Sequence, residues 1–295
     1  MTCKADTFKS GFIALLGRPN VGKSTLLNAV LQQKIAIVSP KPQTTRTLIR
    51  GIYTTDQGQI IFVDTPGIHR PKHRLGEHMV FKAKRSMGDA DVALIIYDAS
   101  QGWGEVEEEL QRSRGEAPYL VVANKIDLLT ERLLPPDGVD SKLFFPVSAL
   151  TGGGLAELVT AIFARLPVGP QYYPTDSVTD QPERVIAAEL IRESILELTR
   201  EEIPHSVAVE VEEFKYRPAK NLTAIRAVIY VERLSQRKII LGHKGTMIKN
   251  IGISARGKIE HFVGTQVYLD LWVKVKEKWR DTEGTLQNLG LGRET

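Results

Sequence analysis

Cysteine is nearly absent from this 295-residue chain: the only one, Cys3, lies in a polar N-terminal arm. An internal disulfide and a cysteine zinc site are both excluded, which points to a reducing compartment. Long apolar runs are missing too, so no segment reads as a bilayer span, and 11–16 is too short and too close to a glycine loop to serve as a signal peptide. The expected location is the cytoplasm, with peripheral association at the inner face of the cell membrane as a secondary expectation. Neither charge sign dominates, with 39 Lys and Arg against 35 Asp and Glu, a net charge of +4. Between 233 and 259, however, seven basic residues (Arg233, Arg237, Lys238, Lys244, Lys249, Arg256, Lys258) stand without one acidic residue. Such a segment suits either a solvated helix face or a nucleic-acid contact.

Apolar runs at 12–16, 59–63, 93–97, 119–123 and 143–147 alternate with helical stretches across residues 8–165. That pattern predicts an α/β fold: a mostly parallel sheet with helices on both faces and chemistry at the carboxyl ends of its strands. Four motifs follow such runs. Gly17-Arg18-Pro19-Asn20-Val21-Gly22-Lys23-Ser24 is a phosphate-binding loop between a strand and a helix. Its glycines let backbone N–H groups face a phosphate, Lys23 supplies positive charge, Ser24 offers a hydroxyl to Mg²⁺, and Val21 and Thr25 complete the cradle. In Asp64-Thr65-Pro66-Gly67, Asp64 is placed to hold the same ion through water and Gly67 to offer its N–H to the terminal phosphate. In Asn124-Lys125-Ile126-Asp127, the Asp127 carboxylate can accept both donors of guanine, which adenine lacks, while Lys125 lays its stem over the base. Ser148-Ala149-Leu150 brings a backbone N–H, that of Ala149, to the guanine oxygen. The stretch Gln43-Thr44-Thr45-Arg46-Thr47 is placed to act as a switch that adds a threonine to Mg²⁺ when a third phosphate is present; Thr45 is favoured, with Thr44 as the alternative. Together these motifs specify a GTP- and GDP-binding, GTP-hydrolysing machine.

Prolines at 167, 170, 174 and 182 break all periodicity, and 169–182 reads as a linker between a GTP-binding domain (8–168) and a second domain (183–280), with 281–295 as a C-terminal tail. The second domain runs helix (185–198), strand (206–211), strand (224–231), helix (235–241), helix (246–262), and a period-two strand carrying Val267, Leu269, Leu271, Val273 and Val275. The run Glu107-Glu108-Glu109 reads as a solvated helix face. His69, His73 and His78, interspersed with Arg70, Lys72 and Arg74, read as a solvated switch segment and not as a metal site. Trp272 and Trp279 suit either base stacking or packing.

The four motifs resemble those of the translation-factor-related class of GTPases. With the second half included, nearly the whole chain resembles the Era family of bacterial ribosome-assembly GTPases. Ile240-Leu241-Gly242-His243-Lys244-Gly245-Thr246-Met247-Ile248 is similar to the Gly-x-x-Gly loop of a KH domain, and the element order is that of the type II form. The resemblance implies single-stranded RNA clamped at Gly242, His243 and Gly245, with Lys238, Lys244, Lys249 and Arg256 meeting phosphates. It further implies binding to small-subunit ribosomal RNA near its 3′ end, the ribosomal subunit as partner, and a monomer assisting subunit assembly. The alternative is a membrane-surface GTPase switch in cell-cycle or stress signalling. Ile68 stands where Ras-like enzymes carry a water-orienting glutamine. Related enzymes with asparagine at the position of Asn20 hold K⁺ beside the phosphates, so Asn20 is expected to bind one.

Overall fold

The computed structural model describes residues 7–41, 44–67, 73–113, 117–131 and 133–292, apart from the side chains of Lys84 and Met87. Cys3, Gln43, Ile68, His69, Arg70 and Lys72 lie outside the described residues. Two compact units form. The first comprises 1–36, 45–70 and 79–180; the second comprises 37–44, 71–78 and 181–295.

The first unit is a six-stranded sheet in the order β2-β3-β1-β4-β5-β6. Its strands are β1 (Lys9–Leu16), β2 (Ile49–Thr55), β3 (Gly58–Asp64), β4 (Val92–Asp98), β5 (Tyr119–Asn124) and β6 (Phe144–Pro146). β3 and β4 are buried at every position, as expected for parallel strands covered on both faces. β2 pairs antiparallel to β3 at the edge. Sequence periodicity missed β2, because IRGIYTT mixes polar, glycine and apolar residues, yet Ile49 and Ile52 are buried. α1 (Lys23–Leu31) follows β1, and α2 (Arg74–Gly88), α3 (Glu105–Ser113) and α4 (Leu155–Arg165) follow β3, β4 and β6. β1 pairs with both β3 and β4, so the chain departs in opposite directions from the centre, which opens a crevice at the carboxyl ends. The proline-rich stretch after α4 is anchored: Gln59 Oε1 accepts the Tyr172 and Tyr173 N–H groups at 2.9 Å, Ser10 Oγ donates to Pro170 O at 2.6 Å, and Arg50 pairs with Asp180 at 2.7 Å.

The second unit follows the predicted order. α5 (Glu183–Leu198) and the one-turn α6 (Ile203–Ser206) lead into β7 (Ala208–Arg217) and β8 (Leu222–Val231); then come α7 (Leu234–Leu241), α8 (Thr246–Val263) and β9 (Gln266–Val275). β7 and β8 are antiparallel, β8 and β9 parallel. The second unit ends in α9 (Glu283–Asn288), with Leu286 fully buried. Among the described residues no helix is long and apolar enough to cross a membrane.

α5 is buried from Leu190 through Leu196 without interruption, as a helix packed on all sides must be. One of its faces carries residues 37–41 and Thr44. Ile37 joins the apolar core formed by α5, α8 and the sheet. Glu193, itself buried, accepts the Val38 N–H at 2.8 Å and pairs with Lys258 at 2.9 Å. Arg192 pairs with Glu189 and donates to the Thr44 carbonyl. Lys41 Nζ donates to the carbonyls of Leu196 and Thr199, the C-terminal end of the helix, where positive charge is favoured. Burial, and then the nearby Arg200, holds its pKa below the ordinary lysine value.

Trp279 is 0% exposed and its Nε1 donates to Ser206 O at 2.8 Å. Of the two tryptophans singled out from the sequence, this one is core and Trp272, 57% exposed, is open to solvent. Trp279→Ala should cost about 3–5 kcal/mol, read as earlier urea unfolding and faster amide exchange in β7, β8 and β9; unchanged exchange there would contradict the packing role.

Candidate nucleotide site

The phosphate loop follows β1 and ends at the first turn of α1, so its orphan N–H groups face the crevice. Two glycines are required by geometry. Gly17 has φ 150°, and a Cβ there would lie 2.1 Å from Ile96 O; Gly22 has φ 98°, and a Cβ would lie 2.2 Å from Asn124 Nδ2. Asn20 is also left-handed, φ 64°, at the exposed tip. Lys23 is buried and its Nζ donates to the carbonyls of Gly17 (3.0 Å) and Arg18 (2.9 Å). Burial lowers its pKa to about 8, against the opposing pull of Asp64.

Ser24, Thr45 and Asp64, from three separate stretches, meet at one point. Asp64 Oδ2 accepts from Ser24 Oγ at 2.6 Å and from Thr45 Oγ1 at 3.3 Å, and the two hydroxyls are 3.0 Å apart. Asp64 is 0% exposed, and its Oδ1 has no hydrogen-bond partner. Burial raises its pKa above the usual carboxylate range, offset in part by Ser24, Lys23 and Thr45. Two hydroxyls and a carboxylate with an orphaned oxygen form a hard oxygen donor set, which fits Mg²⁺ held directly and through water. Thr44 points elsewhere, donating to Lys41 O at 2.6 Å. Gly67 lies against the phosphate loop, where a Cβ would be 2.9 Å from Pro19 Cγ.

On the base side, Asn124 ends β5, is buried, and acts as a strut. Its Nδ2 donates to Val21 O at 2.9 Å and its Oδ1 accepts the Ala149 N–H at 3.0 Å. The Ala149 N–H expected to face the guanine oxygen is thus held by Asn124. Ser148 Oγ donates to Asp127 Oδ1 and accepts the Thr151 N–H, which fixes the exposed Asp127 carboxylate. Leu150 is exposed beside it, and Thr25 sits half-buried on the first turn of α1.

Two residues that the sequence reading set aside, and one that it did not single out, have defined roles in the fold. Glu107 is 0% exposed and pairs with Arg18 Nε at 2.7 Å, while the Arg18 Nη2 donates to Gly102 O at 2.8 Å. The expected solvated face is therefore true of Glu108 and Glu109 only. His78 is buried, with Nδ1 3.3 Å from Leu291 O and Nε2 3.3 Å from Glu283, so it packs in the second unit and is not solvated. Asp98, at the end of β4, pairs with Lys125 at 2.6 Å.

In the second unit the loop after α7 has Gly242 at φ 72°, Lys244 at φ 49° and Gly245 at φ 79°. A Cβ on Gly242 would lie 2.7 Å from Met247 N. Lys238, His243, Lys244, Lys249 and Arg256 are all exposed on α7, the loop and α8, and among the described residues none is in an ion pair. Lys258, by contrast, is committed to Glu193 and Glu197.

Residues 12–125 match the family described as 50S ribosome-binding GTPase, and residues 202–280 match the KH domain family. GTPase Era of Carboxydothermus hydrogenoformans is 51% identical over 292 residues, 96% of this chain and 98% of that protein. Two solved structures superpose with TM-score 0.89 at 41% identity, over 97% of this chain and all of theirs. One is an Era variant of Aquifex aeolicus bound to GDP·AlF4⁻; the other is Era in complex with MgGDPNP and nucleotides 1506–1542 of 16S ribosomal RNA.

Burial lowers the Lys23 pKa to about 8 and a bound phosphate would restore it toward its ordinary value, so nucleotide binding above that pH should take up a proton. GDP affinity should be level from about pH 6 to 7.5 and weaken toward tenfold per unit above about pH 8.5. Calorimetry in buffers of different ionisation enthalpy measures the uptake directly; none at pH 9 would place Lys23 away from the phosphates.

Proposed function

The chain belongs to the Era family of GTPases, and we propose that it is a GTP-hydrolysing switch that binds small-subunit ribosomal RNA through its KH unit and assists assembly of the small ribosomal subunit, acting as a cytoplasmic monomer. The observation that carries this reading is the meeting of Ser24, Thr45 and Asp64 beside Lys23, in a chain whose second unit presents an unpaired basic loop at Gly242–Gly245. The domains are taken as 8–168 for GTP, 169–182 as linker, 183–280 for RNA and 281–295 as tail.

In the nucleotide domain, loop N–H groups from Gly17 through Ser24 and the Lys23 ammonium take the phosphates. Ser24, Thr45 and Asp64 would hold Mg²⁺, whose charge would offset that on the transferring phosphoryl group. Gly67 offers its N–H to the third phosphate. Asp127 reads guanine, Lys125 covers its plane, and Val21, Thr25, Asn124, Ser148, Ala149 and Leu150 shape the rest. An adenine base would cover the Asp127 carboxylate without offering it a donor, an arrangement that rejects such an analogue by about 10⁴-fold or more. With isoleucine at 68, no side-chain amide follows Gly67 to orient the attacking water, so intrinsic turnover should be slow, on the order of 10⁻⁴ to 10⁻² per second. Asn20, exposed at the loop tip, is assigned to a K⁺ ion beside the phosphates. Turnover should fall several-fold when K⁺ is replaced by Na⁺, and Asn20→Ala should remove that difference; equal rates in the two salts would end the assignment.

Loss of the third phosphate removes the reason for Thr45 to stay on Mg²⁺. The preceding residue, Thr44, belongs to a segment packed on α5 in the second unit, so the nucleotide state is proposed to bias the RNA-binding unit. Lys238, Lys244, Lys249 and Arg256 supply phosphate contacts, and Gly242 and Gly245 let the RNA backbone approach. The relative bound to nucleotides 1506–1542 of 16S ribosomal RNA supports this RNA as the partner. In-cell crosslinking should recover a site near the small-subunit RNA 3′ end, lost in Gly242→Asp, Lys244→Asp. Affinity for that RNA should differ between GDP and a nonhydrolysable GTP analogue. Dispersed recovery unaffected by the substitutions would remove the RNA assignment, and equal affinities would remove the coupling.

A further inference from the structure

We propose that Asp98 is a positioning residue for guanine nucleotide binding: it anchors the Lys125 ammonium and so holds the lysine stem in the plane the base must meet. This rests on the GTP-binding reading of the same site.

The topology places Asp98 where it can do this. It is the last residue of β4, its Cα is in register with Asn124 at the end of β5, and Lys125 is the next residue. The Lys125 Nζ lies 2.6 Å from Asp98 Oδ2; the lysine side chain is 32% exposed and the carboxylate 3%. The pair therefore has a buried, fixed end and an open stem, the arrangement a base-covering lysine needs. Asp98 is itself held: Oδ1 accepts the Ser100 N–H at 3.0 Å and the Ser100 hydroxyl at 2.6 Å, and Oδ2 accepts Gln101 Nε2 at 3.2 Å. Burial would raise its pKa, but the bonds from Lys125 and Ser100 outweigh it and leave the carboxyl below its ordinary value, ionised at neutral pH.

The backbone at Lys125 is left-handed, φ 68°. A non-glycine residue adopts that conformation only at a cost. A free lysine loses rotamer freedom when it is pinned against a ligand. With Nζ already anchored, most of that loss is incurred in folding, not in binding, which is preorganisation. The same turn also receives Arg18 from the phosphate loop, through Gly102 O, so one short loop fixes elements at both ends of the nucleotide.

Asp98→Asn keeps an acceptor for Ser100 but removes the charge that holds Lys125. GDP affinity should fall about tenfold while kcat for GTP at saturation stays within twofold. Lys125→Met should lose a similar factor, and the double variant Asp98→Asn, Lys125→Met should bind no more weakly than Lys125→Met alone, because the two act through one contact. Additive losses near a hundredfold, or an Asp98→Asn variant within twofold of wild type, would overturn the proposal. A second measurement needs no variant: in the nucleotide-free wild-type protein, Lys125 should be acylated by an amine-reactive reagent at least tenfold more slowly than the exposed Lys244, and equal rates would refute the anchor. Wild-type protein that fails to bind GDP at all would instead overturn the nucleotide reading on which the proposal rests.

Discussion

Asp64 is a carboxylate without solvent exposure, with one oxygen bonded to two hydroxyls and the other bonded to nothing. An arrangement of that kind costs several kcal/mol unless a cation completes it, roughly what an unpaired buried charge demands. The surrounding fold converts the cost into function. β3 must end at Asp64 and α1 must begin at Lys23 for Ser24 to reach the same point, and Thr45 must arrive from a stretch between α1 and β2. The lowered pKa of Lys23 belongs to the same constraint, since an ammonium buried among carbonyls is stabilised fully only when an anion arrives.

A second constraint joins the phosphate and base ends of the site. Asn124 bonds Val21 and Ala149 at once, and the loop after β4 holds Arg18 and Lys125. The two ends are thus set at a fixed spacing before any nucleotide arrives. Preorganised donors of this type gain affinity because little needs to be ordered on binding.

Much of this was legible in the sequence, and the reasons are chemical. Phosphate, Mg²⁺ and guanine each demand particular residue types at fixed offsets from a strand end, so the motifs could be placed with their strands. The choice between Thr44 and Thr45 needed coordinates, since both lie in the same loop and only Thr45 turns toward Asp64. Glu107 was illegible because three consecutive glutamates look solvated, although Glu107 lies three residues before buried Leu110, on the same helical face. His78 is the same case, three residues after buried Leu75 on α2. Asp98 and Arg18 gave no local sign, because their partners, Lys125 and Glu107, are 27 and 89 residues away.

The segment 37–44 has a consequence for how the chain is made. Its partners on α5 emerge from synthesis about 155 residues later, as the Val38–Glu193 bond shows. At ~5–20 residues per second that gap lasts roughly 8–30 s. During that interval Ile37 has no core to enter and the nucleotide domain lacks a settled connection between α1 and β2. The GTP-binding half can therefore assemble its sheet early, but its switch acquires a fixed path only after the RNA-binding half has been synthesised. The order of synthesis thus leaves Ile37 and Val38 without their partners until α5 is complete.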